Sequence, residues 1–130
     1  NWLGFRLRLF THHFWIIHLL SLQKLNSLIS HLNKAFESRV RLGIMSLLMI
    51  HDQLNFSALK SELAITDGNM ASHMTALEKL KYIQVQKKFI GKKPNTTYSV
   101  TASGKKAFQS HLAALEAIIH QRNNASTSNK

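Results

Sequence analysis

The sequence predicts a mainly α-helical fold of the α+β class that contains one small β-hairpin. Three observations lead to this prediction. Apolar residues recur at intervals of three and four through successive segments between residues 33 and 81. The interval changes to two between residues 83 and 101, as is typical of strands. After Thr101 it returns to three and four, and an apolar segment precedes residue 33, so we expect additional helices at both ends.

The three central helices are predicted from their apolar positions and from their ends. The first covers roughly residues 33–51, and the second covers residues 56–63. Thr66 can cap the third helix because its hydroxyl can accept a hydrogen bond from a free amide, and Asp67 is favourable at the positive end of a helix. We predict that this third helix continues to about Lys81. Met70, Met74, Leu77 and Lys81 share one face of this helix, and Leu80 lies beside that face.

A hairpin and a last helix follow the third helix. Residues 83–89 and 97–101 alternate between apolar and polar side chains, which predicts two strands. Residues 91–96 supply the glycine, proline and asparagine that favour a turn. Thr101 is placed to cap the last helix, whose apolar positions are Phe108, Leu112, Leu115 and Ile119. Three helices followed by a hairpin form a winged helix-turn-helix, here with additional N- and C-terminal helices.

The charge of the chain indicates a polyanionic partner. Seventeen lysines and arginines stand against six acidic residues, which gives a formal net charge of +11. No acidic residue lies between Glu78 and Glu116, whereas eight lysines do. The positive charge is therefore concentrated on the third helix, the hairpin and the start of the last helix, and double-stranded DNA is the expected partner.

Composition also argues against other classes of protein. The absence of cysteine excludes disulfides, thiolate metal sites and a cysteine nucleophile, and it agrees with a cytoplasmic location. The acidic residues are few and separated, no glycine-rich phosphate loop occurs, and no serine lies in a nucleophile-elbow motif. We therefore expect neither catalysis nor a cofactor.

The residues expected to contact DNA lie on the third helix and on the hairpin. The helix, residues 67–81, should enter the major groove with its small polar face, and the basic wing, residues 87–97, should contact phosphates. The candidates on the helix are Asn69, Ser72, His73, Thr75, Ala76 and Lys79. Those on the wing are Lys87, Lys88, Lys92, Lys93, Asn95 and Thr96. His73 flanks the apolar face, so a packing role is an equal alternative for it.

We expect four parts along the chain. They are an N-terminal apolar helical extension at residues 1–31, a winged-helix DNA-binding domain at 32–104, a C-terminal dimerisation helix at 105–122 and a disordered polar tail at 123–130. The uncharged interval from Leu9 to Gln23 is shorter than the roughly 20 apolar residues of a membrane-spanning helix, and it contains three histidines. We therefore predict no membrane partner and a homodimer whose interface covers the apolar faces of the terminal helices.

Four segments together carry a family resemblance. Residues 66–74 read Thr-Asp-Gly-Asn-Met-Ala-Ser-His-Met, close to a recognition-helix pattern Thr-Asp-Gly-Asn-Leu-x-x-His-Leu in which methionine here replaces leucine twice. Residues 39–45, 92–98 and 101–105 match as well. From residue 32 to about 119 the chain resembles the bacterial MarR-like and ArsR-like winged-helix regulators, within them the short stand-alone group. The resemblance implies sequence-specific operator binding by a dimer, most often as a repressor.

Three alternatives stay open at this stage. A metal- or ligand-responsive repressor is one, because Glu116 and His120 are spaced i and i+4, with His111 nearby in sequence. Another histidine group, His12, His13 and His18, is no stronger as a metal site. A winged helix used only for protein contact is the second alternative. The third concerns Arg39 and Arg41, which could hold a phosphate or pair with Glu37.

Overall fold

The computed structural model describes the backbone of residues 2–127 and the side chains of residues 15–124. Within that range it contains five α-helices, a short 3-10 helix and a three-stranded antiparallel sheet, which confirms the predicted α+β class. The α-helices are α1 (Trp2–Ser30), α2 (Arg39–Ile50), α3 (Phe56–Leu63), α4 (Asp67–Lys79) and α5 (Ala102–Thr127). The strands are β1 (Leu54–Asn55), β2 (Ile83–Ile90) and β3 (Lys93–Val100), and the 3-10 helix is Lys34–Phe36.

Two compact units divide the chain. One consists of residues 33–112, and the other consists of α1 and the part of α5 from Ala113 onward. Helix α5 extends to Thr127, so residues 123–127 are helical where a disordered tail was predicted. Nucleation is the costly step in forming a helix, and residues added to an existing helix avoid that cost. A polar segment can therefore stay helical when it continues a helix such as α5. Residues 128–130 lie outside the described range, and the bounds of the other three predicted parts stay predictions.

Polar side chains cap the helices of the 33–112 unit. The Asn55 side chain accepts a hydrogen bond from the Ala58 amide at 2.8 Å at the start of α3. At the start of α4, the Thr66 hydroxyl accepts one from the Asn69 amide at 3.4 Å, as predicted. Helix α2 begins at Arg39 rather than near residue 33, because Ser38 caps it and the preceding residues form the 3-10 helix.

Helix α4 ends two residues earlier than predicted because Lys81 adopts a left-handed conformation with φ of 62°. The Tyr82 amide donates to the Leu77 carbonyl at 3.1 Å, and the Lys81 amide donates to the Glu78 carbonyl at 2.9 Å. These two bonds form a Schellman motif, which satisfies carbonyl groups at the helix end and usually has glycine where Lys81 stands.

Replacement of Lys81 by glycine should therefore raise the free energy of unfolding by about 0.5–1 kcal/mol. Glycine removes the steric cost of the left-handed conformation, and the greater freedom of glycine in the unfolded chain offsets part of that gain. Urea unfolding of the two proteins measures the difference. A Lys81→Gly variant less stable than the parent would contradict the described end of α4.

The core of the 33–112 unit is apolar and continuous. Its fully enclosed members are Ile44, Met45, Leu48, Leu59, Met70 and Leu77, from α2, α3 and α4. Phe36 extends this core toward α5, with its ring centroid 5.4 Å from that of Phe108 and 5.6 Å from that of Tyr82. Phe108 is only 4% exposed, so it belongs to this core, whereas the sequence placed it on a dimerisation surface.

The sheet has the order β1-β3-β2, with both neighbours antiparallel to the central strand β3. Strand β1 was not predicted, since two residues are too few for a visible alternation. The hairpin itself is confirmed, since eight residue pairs join β2 to β3, from Ile83 opposite Val100 to Ile90 opposite Lys93. Its predicted turn at residues 91–96 is too long, because residues 93–96 pair with β2 and belong to β3. Gly91 has a φ of 66° in the two-residue turn, a conformation in which glycine avoids a steric cost.

Helix α5 begins against the loop that follows α4. The Thr101 amide donates to the Tyr82 carbonyl at 3.0 Å, and the Thr101 hydroxyl accepts a hydrogen bond from the Gly104 amide at 2.9 Å. The predicted cap of the last helix is thus confirmed. Gly104 lies so close to Tyr82 that a side chain at this position would collide with the Tyr82 carbonyl. The close approach fixes the start of α5 relative to the base of the hairpin.

The second unit carries many exposed apolar side chains. On α1 they are Trp15, Ile16, Ile17, Leu19, Leu20, Leu22 and Ile29, and on this part of α5 they are Leu115 and Ile119. Within the described part of the chain, no helix combines the length and the apolar character that crossing a bilayer requires.

Candidate nucleic-acid interface

The outward face of α4 is polar and accessible. Met70, Met74 and Leu77 anchor the helix in the core. The opposite face presents four predicted contact residues that are exposed, namely Asn69, Ser72, Thr75 and Lys79. Two further predicted residues, His73 and Ala76, are half-buried. The short side chains on this face leave the backbone of α4 free to approach another surface closely.

Thr75 has part of its hydrogen-bonding capacity already engaged. Its hydroxyl donates to the Ala71 carbonyl at 2.9 Å, one turn earlier in the same helix. The hydroxyl oxygen keeps its acceptor capacity, so Thr75 can receive a hydrogen bond from an amino group. In the major groove such donors are the N6 group of adenine and the N4 group of cytosine.

A cleft of about 260 Å³ separates α4 from the hairpin. Three of the predicted contact residues line it from three different elements: Thr75 from α4, Lys87 from β2 and Thr96 from β3. The remaining lining side chains are Phe56, Ala71, Met74, Glu78, Val85 and Tyr98. The fold thus places part of the predicted helix face and part of the predicted wing on one concave surface.

The strand register divides the predicted wing residues between the two faces of the hairpin. Lys87 lies opposite Thr96, and both face the cleft. Lys88 lies opposite Asn95, one position along each strand, so these two side chains point to the other face. Lys93 shares that other face, and Lys92 occupies the turn. All four lysines are exposed, and the hairpin carries positive charge on both faces and at its tip.

Glu78 and Tyr98 belong to the cleft but were not among the predicted residues. Partial burial raises the pKa of Tyr98, and the nearby negative charge of Glu78 raises it further, so the phenol stays neutral and keeps its O–H donor. Glu78 lies three positions after Thr75 and seven after Ala71, a spacing that puts all three on one helix face. The helical spacing in the sequence could have identified Glu78 as a residue of this face of α4. Tyr98 could not be found in this way, because it enters the cleft through the pairing of β3 with β2.

Histidine 111 has a structural role in the 33–112 unit. It is 5% exposed, and its Nδ1 accepts a hydrogen bond from the Asn33 amide at 3.0 Å. Its ring centroid lies 5.3 Å from that of Phe36. Asn33 also donates through Nδ2 to the Tyr82 hydroxyl at 3.1 Å, so a polar network crosses the apolar core at this point.

The other candidate ligands and anion-binding residues are distributed as follows. Glu116 and His120 are exposed on α5, and among the side chains that the structure describes, no three histidine or acidic residues form a cluster able to hold a metal ion. The side chains of His12 and His13 lie outside the described residues. Arg39 is exposed at the start of α2, and Arg41 is half-buried with its Nε enclosed by protein atoms.

Comparisons with known proteins agree with this geometry. The family described as "winged helix DNA-binding domain" matches residues 40–119. An uncharacterized protein from Methanocaldococcus jannaschii is 33% identical over 79 residues, which cover 61% of this chain and 86% of that protein.

Solved structures of similar fold include several regulators. A transcriptional regulator homologue from Pyrococcus horikoshii is 28% identical and superposes with a TM-score of 0.64 over 77% of this chain and 94% of its own. A MarR-like transcription regulator from Bacillus cereus is 17% identical, with a TM-score of 0.56 over 79% of this chain and 77% of its own. At 17% identity, the similarity to the Bacillus cereus regulator shows a shared fold and nothing more.

The family match covers more than half of the chain and includes α2, α3, α4, the hairpin and most of α5. The chain therefore belongs to the winged-helix DNA-binding domain family. This result confirms the resemblance that the sequence motifs carried.

Proposed function

We propose that this protein is a sequence-specific, double-stranded DNA-binding transcription regulator that acts as a homodimeric repressor. The observation that carries the proposal is the shared cleft, in which Thr75 of α4 lies beside Lys87 and Thr96 of the hairpin. A duplex that receives α4 in its major groove brings its neighbouring phosphates to the lysines of the wing. A protein bound in this way at a promoter blocks access to the DNA and so represses transcription.

Helix α4 supplies the sequence-reading part of this mechanism. Its buried methionines and Leu77 hold it rigidly on the core, while Asn69, Ser72 and Thr75 are exposed on the face that would meet base edges. Asparagine can form a paired contact with adenine, and a hydroxyl can serve either a donor or an acceptor on a base. A rigid helix carrying short polar groups discriminates between sequences because it cannot move away from a mismatched base edge.

The wing supplies affinity that is independent of sequence. Its four lysines attract the phosphate backbone, and each phosphate contact releases condensed counterions from the duplex. Lys92 lies in the turn with Gly91, and Lys93 is the first residue after it. Little protein surface limits the approach of these two lysines to a phosphate. The wing therefore fixes position and orientation, and α4 selects the sequence.

Replacement of Lys92 or Lys93 by alanine should weaken binding to all duplexes by a similar factor. The plot of log affinity against log salt concentration should also become shallower by about one unit for each contact removed. Fluorescence anisotropy with a labelled duplex at several salt concentrations measures both quantities.

Lys106→Ala serves as the matched control, because it removes an equal charge from an exposed position on α5 outside the cleft. The control should leave the salt slope near that of the parent. Wing variants that bind as tightly as the parent at low salt would contradict the phosphate contacts. A parent protein that binds no duplex at low salt would instead favour a protein-docking module.

Replacement of Ser72 or Thr75 by alanine should change which sequence is preferred. Loss of one good base contact removes about 1–3 kcal/mol of discrimination at a single base pair. The measurement compares the affinities of the parent and of each variant for an operator and for versions altered at one base pair. A lysine variant of the wing serves as control, since it should lower all these affinities by the same factor. Unaltered preferences in both alanine variants would show that these residues do not read the sequence.

The homodimer is proposed from the apolar surface of the second unit. Four of its apolar side chains are more than half exposed: Trp15, Ile17 and Leu20 on α1 and Ile119 on α5. Contact with a second copy of the chain would remove these side chains from water. Phe108 takes no part in this surface because it lies in the core. Sedimentation or light scattering at micromolar concentration tests the assembly, and a monomer under those conditions would contradict it.

A further inference from the structure

An ion pair joins α3 to the first residue of α4. The Lys60 Nζ atom lies 2.6 Å from the Asp67 Oδ1 atom, so the last turn of α3 is linked to the start of the helix that carries the polar face. Both side chains line an open concavity of about 520 Å³ between α3 and the turn that follows it. The Asp67 side chain is 72% exposed, so the carboxylate stays accessible although it is paired.

The position of this pair gives it a consequence beyond stability. An ion pair with so much exposed surface is screened by water and contributes little to the free energy of folding. The N-terminal residues of the second helix of a helix-turn-helix meet base edges in the major groove. An unpaired carboxylate at that place would be repelled by the phosphates on either side. Lys60 supplies the positive charge that cancels this repulsion.

Asp67 also continues the side of α4 that lines the cleft with the wing. Ala71 and Thr75, which both line that cleft, follow Asp67 at intervals of four residues, and this spacing puts all three on one side of the helix. Thr75 is already proposed as a base contact, and Asp67 lies about 12 Å before it along the helix axis. A duplex that meets Thr75 would therefore meet Asp67 at a different base pair.

We propose that Asp67 is a specificity-determining residue that selects cytosine at one position of the operator half-site, and that Lys60 is a positioning residue that orients and neutralises its carboxylate. This inference rests on the proposed function and adds a reading position to it. While Lys60 engages Oδ1, the Oδ2 atom can accept a hydrogen bond from a base.

The chemistry of a carboxylate determines which base it selects. Guanine and thymine present acceptors to the major groove, and these repel a second acceptor. Adenine presents its N6 donor beside the N7 acceptor, whereas the N4 amino group of cytosine is a donor alone. Cytosine is therefore the base whose edge suits a carboxylate that carries no proton.

A second role for Lys60 has to be separated from this one. The first helix of a helix-turn-helix crosses the DNA backbone, so a lysine of α3 could hold a phosphate directly. The 2.6 Å contact favours the pairing role, because a Lys60 side chain moved to a phosphate would leave Asp67 unpaired beside the duplex. The two roles predict different effects of Lys60 once the charge of Asp67 has been removed.

The first experiment selects bound duplexes from a random pool with the parent, Asp67→Asn and Glu62→Gln. We expect Asp67→Asn to change the selected base at one position from cytosine to adenine, since asparagine pairs with adenine, and to alter discrimination there by about five- to 150-fold. This position should differ from the one that Thr75→Ala alters. Glu62→Gln is the matched control, because it also turns an exposed carboxylate into an amide but lies on a different face of α3 from Lys60. It should select the parental motif.

The second experiment introduces Lys60→Met into the parent and into Asp67→Asn, and measures anisotropy with the duplex that each background selects. Methionine keeps much of the aliphatic length of lysine and removes its charge. In the parent background we expect binding to weaken by about fivefold, the upper end of the effect of an exposed ion pair. In the Asp67→Asn background the same change should stay within about twofold, because no carboxylate remains to be neutralised.

The possible results are distinguishable. A parental motif selected by Asp67→Asn would overturn this inference and leave the proposed function intact. Equal losses from Lys60→Met in the two backgrounds would overturn the positioning role and make Lys60 a phosphate contact. A parent protein that selects no motif would instead overturn the proposed function. Urea unfolding of each variant completes the test, since a merely structural pair would change the stability and leave the preferred base unaltered.

Discussion

Replacement of Gly104 by alanine is expected to lower the free energy of unfolding by about 3 kcal/mol, at the upper end of the cost of overpacking. A Cβ atom at this position would lie 2.9 Å from the Tyr82 carbonyl carbon and still closer to its oxygen. Real Cβ atoms do not approach backbone so closely, and backbone cannot rotate away as a flexible side chain can. The start of α5 would have to move, which would lengthen the Thr101 amide bond to the same carbonyl, now 3.0 Å.

Urea unfolding followed by circular dichroism measures this loss. Gly68→Ala is the matched control, since it is also a glycine in the first turns of a helix but has no heavy atom within 4 Å of the added Cβ. The control should be neutral or more stable by up to about 1 kcal/mol, because alanine is the better helix former. Equal stabilities of Gly104→Ala and the parent would contradict the close packing of α5 on the loop after α4.

Replacement of Phe36 by alanine should cost about 4 kcal/mol, within the range observed for buried aromatic residues. Phe36 is 3% exposed, and its ring contacts those of Tyr82, Phe108 and His111. Its removal leaves a cavity between the 3-10 helix, the loop after α4 and α5. The edge contact with Phe108, whose ring plane is perpendicular, contributes beyond simple burial.

The same unfolding experiment on Phe89→Ala provides the control. Phe89 is the same residue type in an exposed position, so its replacement should change the stability by less than about 0.5 kcal/mol. A loss below about 1 kcal/mol for Phe36→Ala would contradict the burial of Phe36 among the rings of Tyr82, Phe108 and His111. Both variants replace phenylalanine by alanine, and only the burial of the original side chain differs. The difference between their stability losses therefore measures the contribution of packing around Phe36.

The helices and the hairpin could be predicted because local rules determine them. The bounds of α3 and the caps by Thr66 and Thr101 agree with the structure, since each depends on side chains a few positions apart. The end of α4 was placed too late because a lysine occupies the left-handed position that glycine usually marks. Strand β1 was missed because its two residues join the sheet through β3, a partner more than forty positions away.

Tertiary contacts determined what the sequence left open at the site. The apolar spacing on α5 assigned Phe108 and Leu112 to one surface, but Phe36 draws Phe108 into the core while Leu112 stays exposed. Every wing lysine was predicted as a contact from composition. Alternation along β2 puts Lys87 and Lys88 on opposite faces of the hairpin, and the cleft shows that Lys87 is the one that faces α4. Which face packs toward α4 depends on tertiary contacts that the wing sequence does not reveal.

The most direct test of the central claim is selection of bound duplexes from a pool of random DNA sequences by the purified protein. The account predicts enrichment of one motif with two-fold symmetry, whose half-sites are about one helical turn apart, because two copies of α4 would enter successive major grooves on one side of the duplex. Binding to the enriched sequence should also weaken steeply as salt increases. A pool that remains random after repeated rounds would contradict sequence-specific recognition by α4 and the wing.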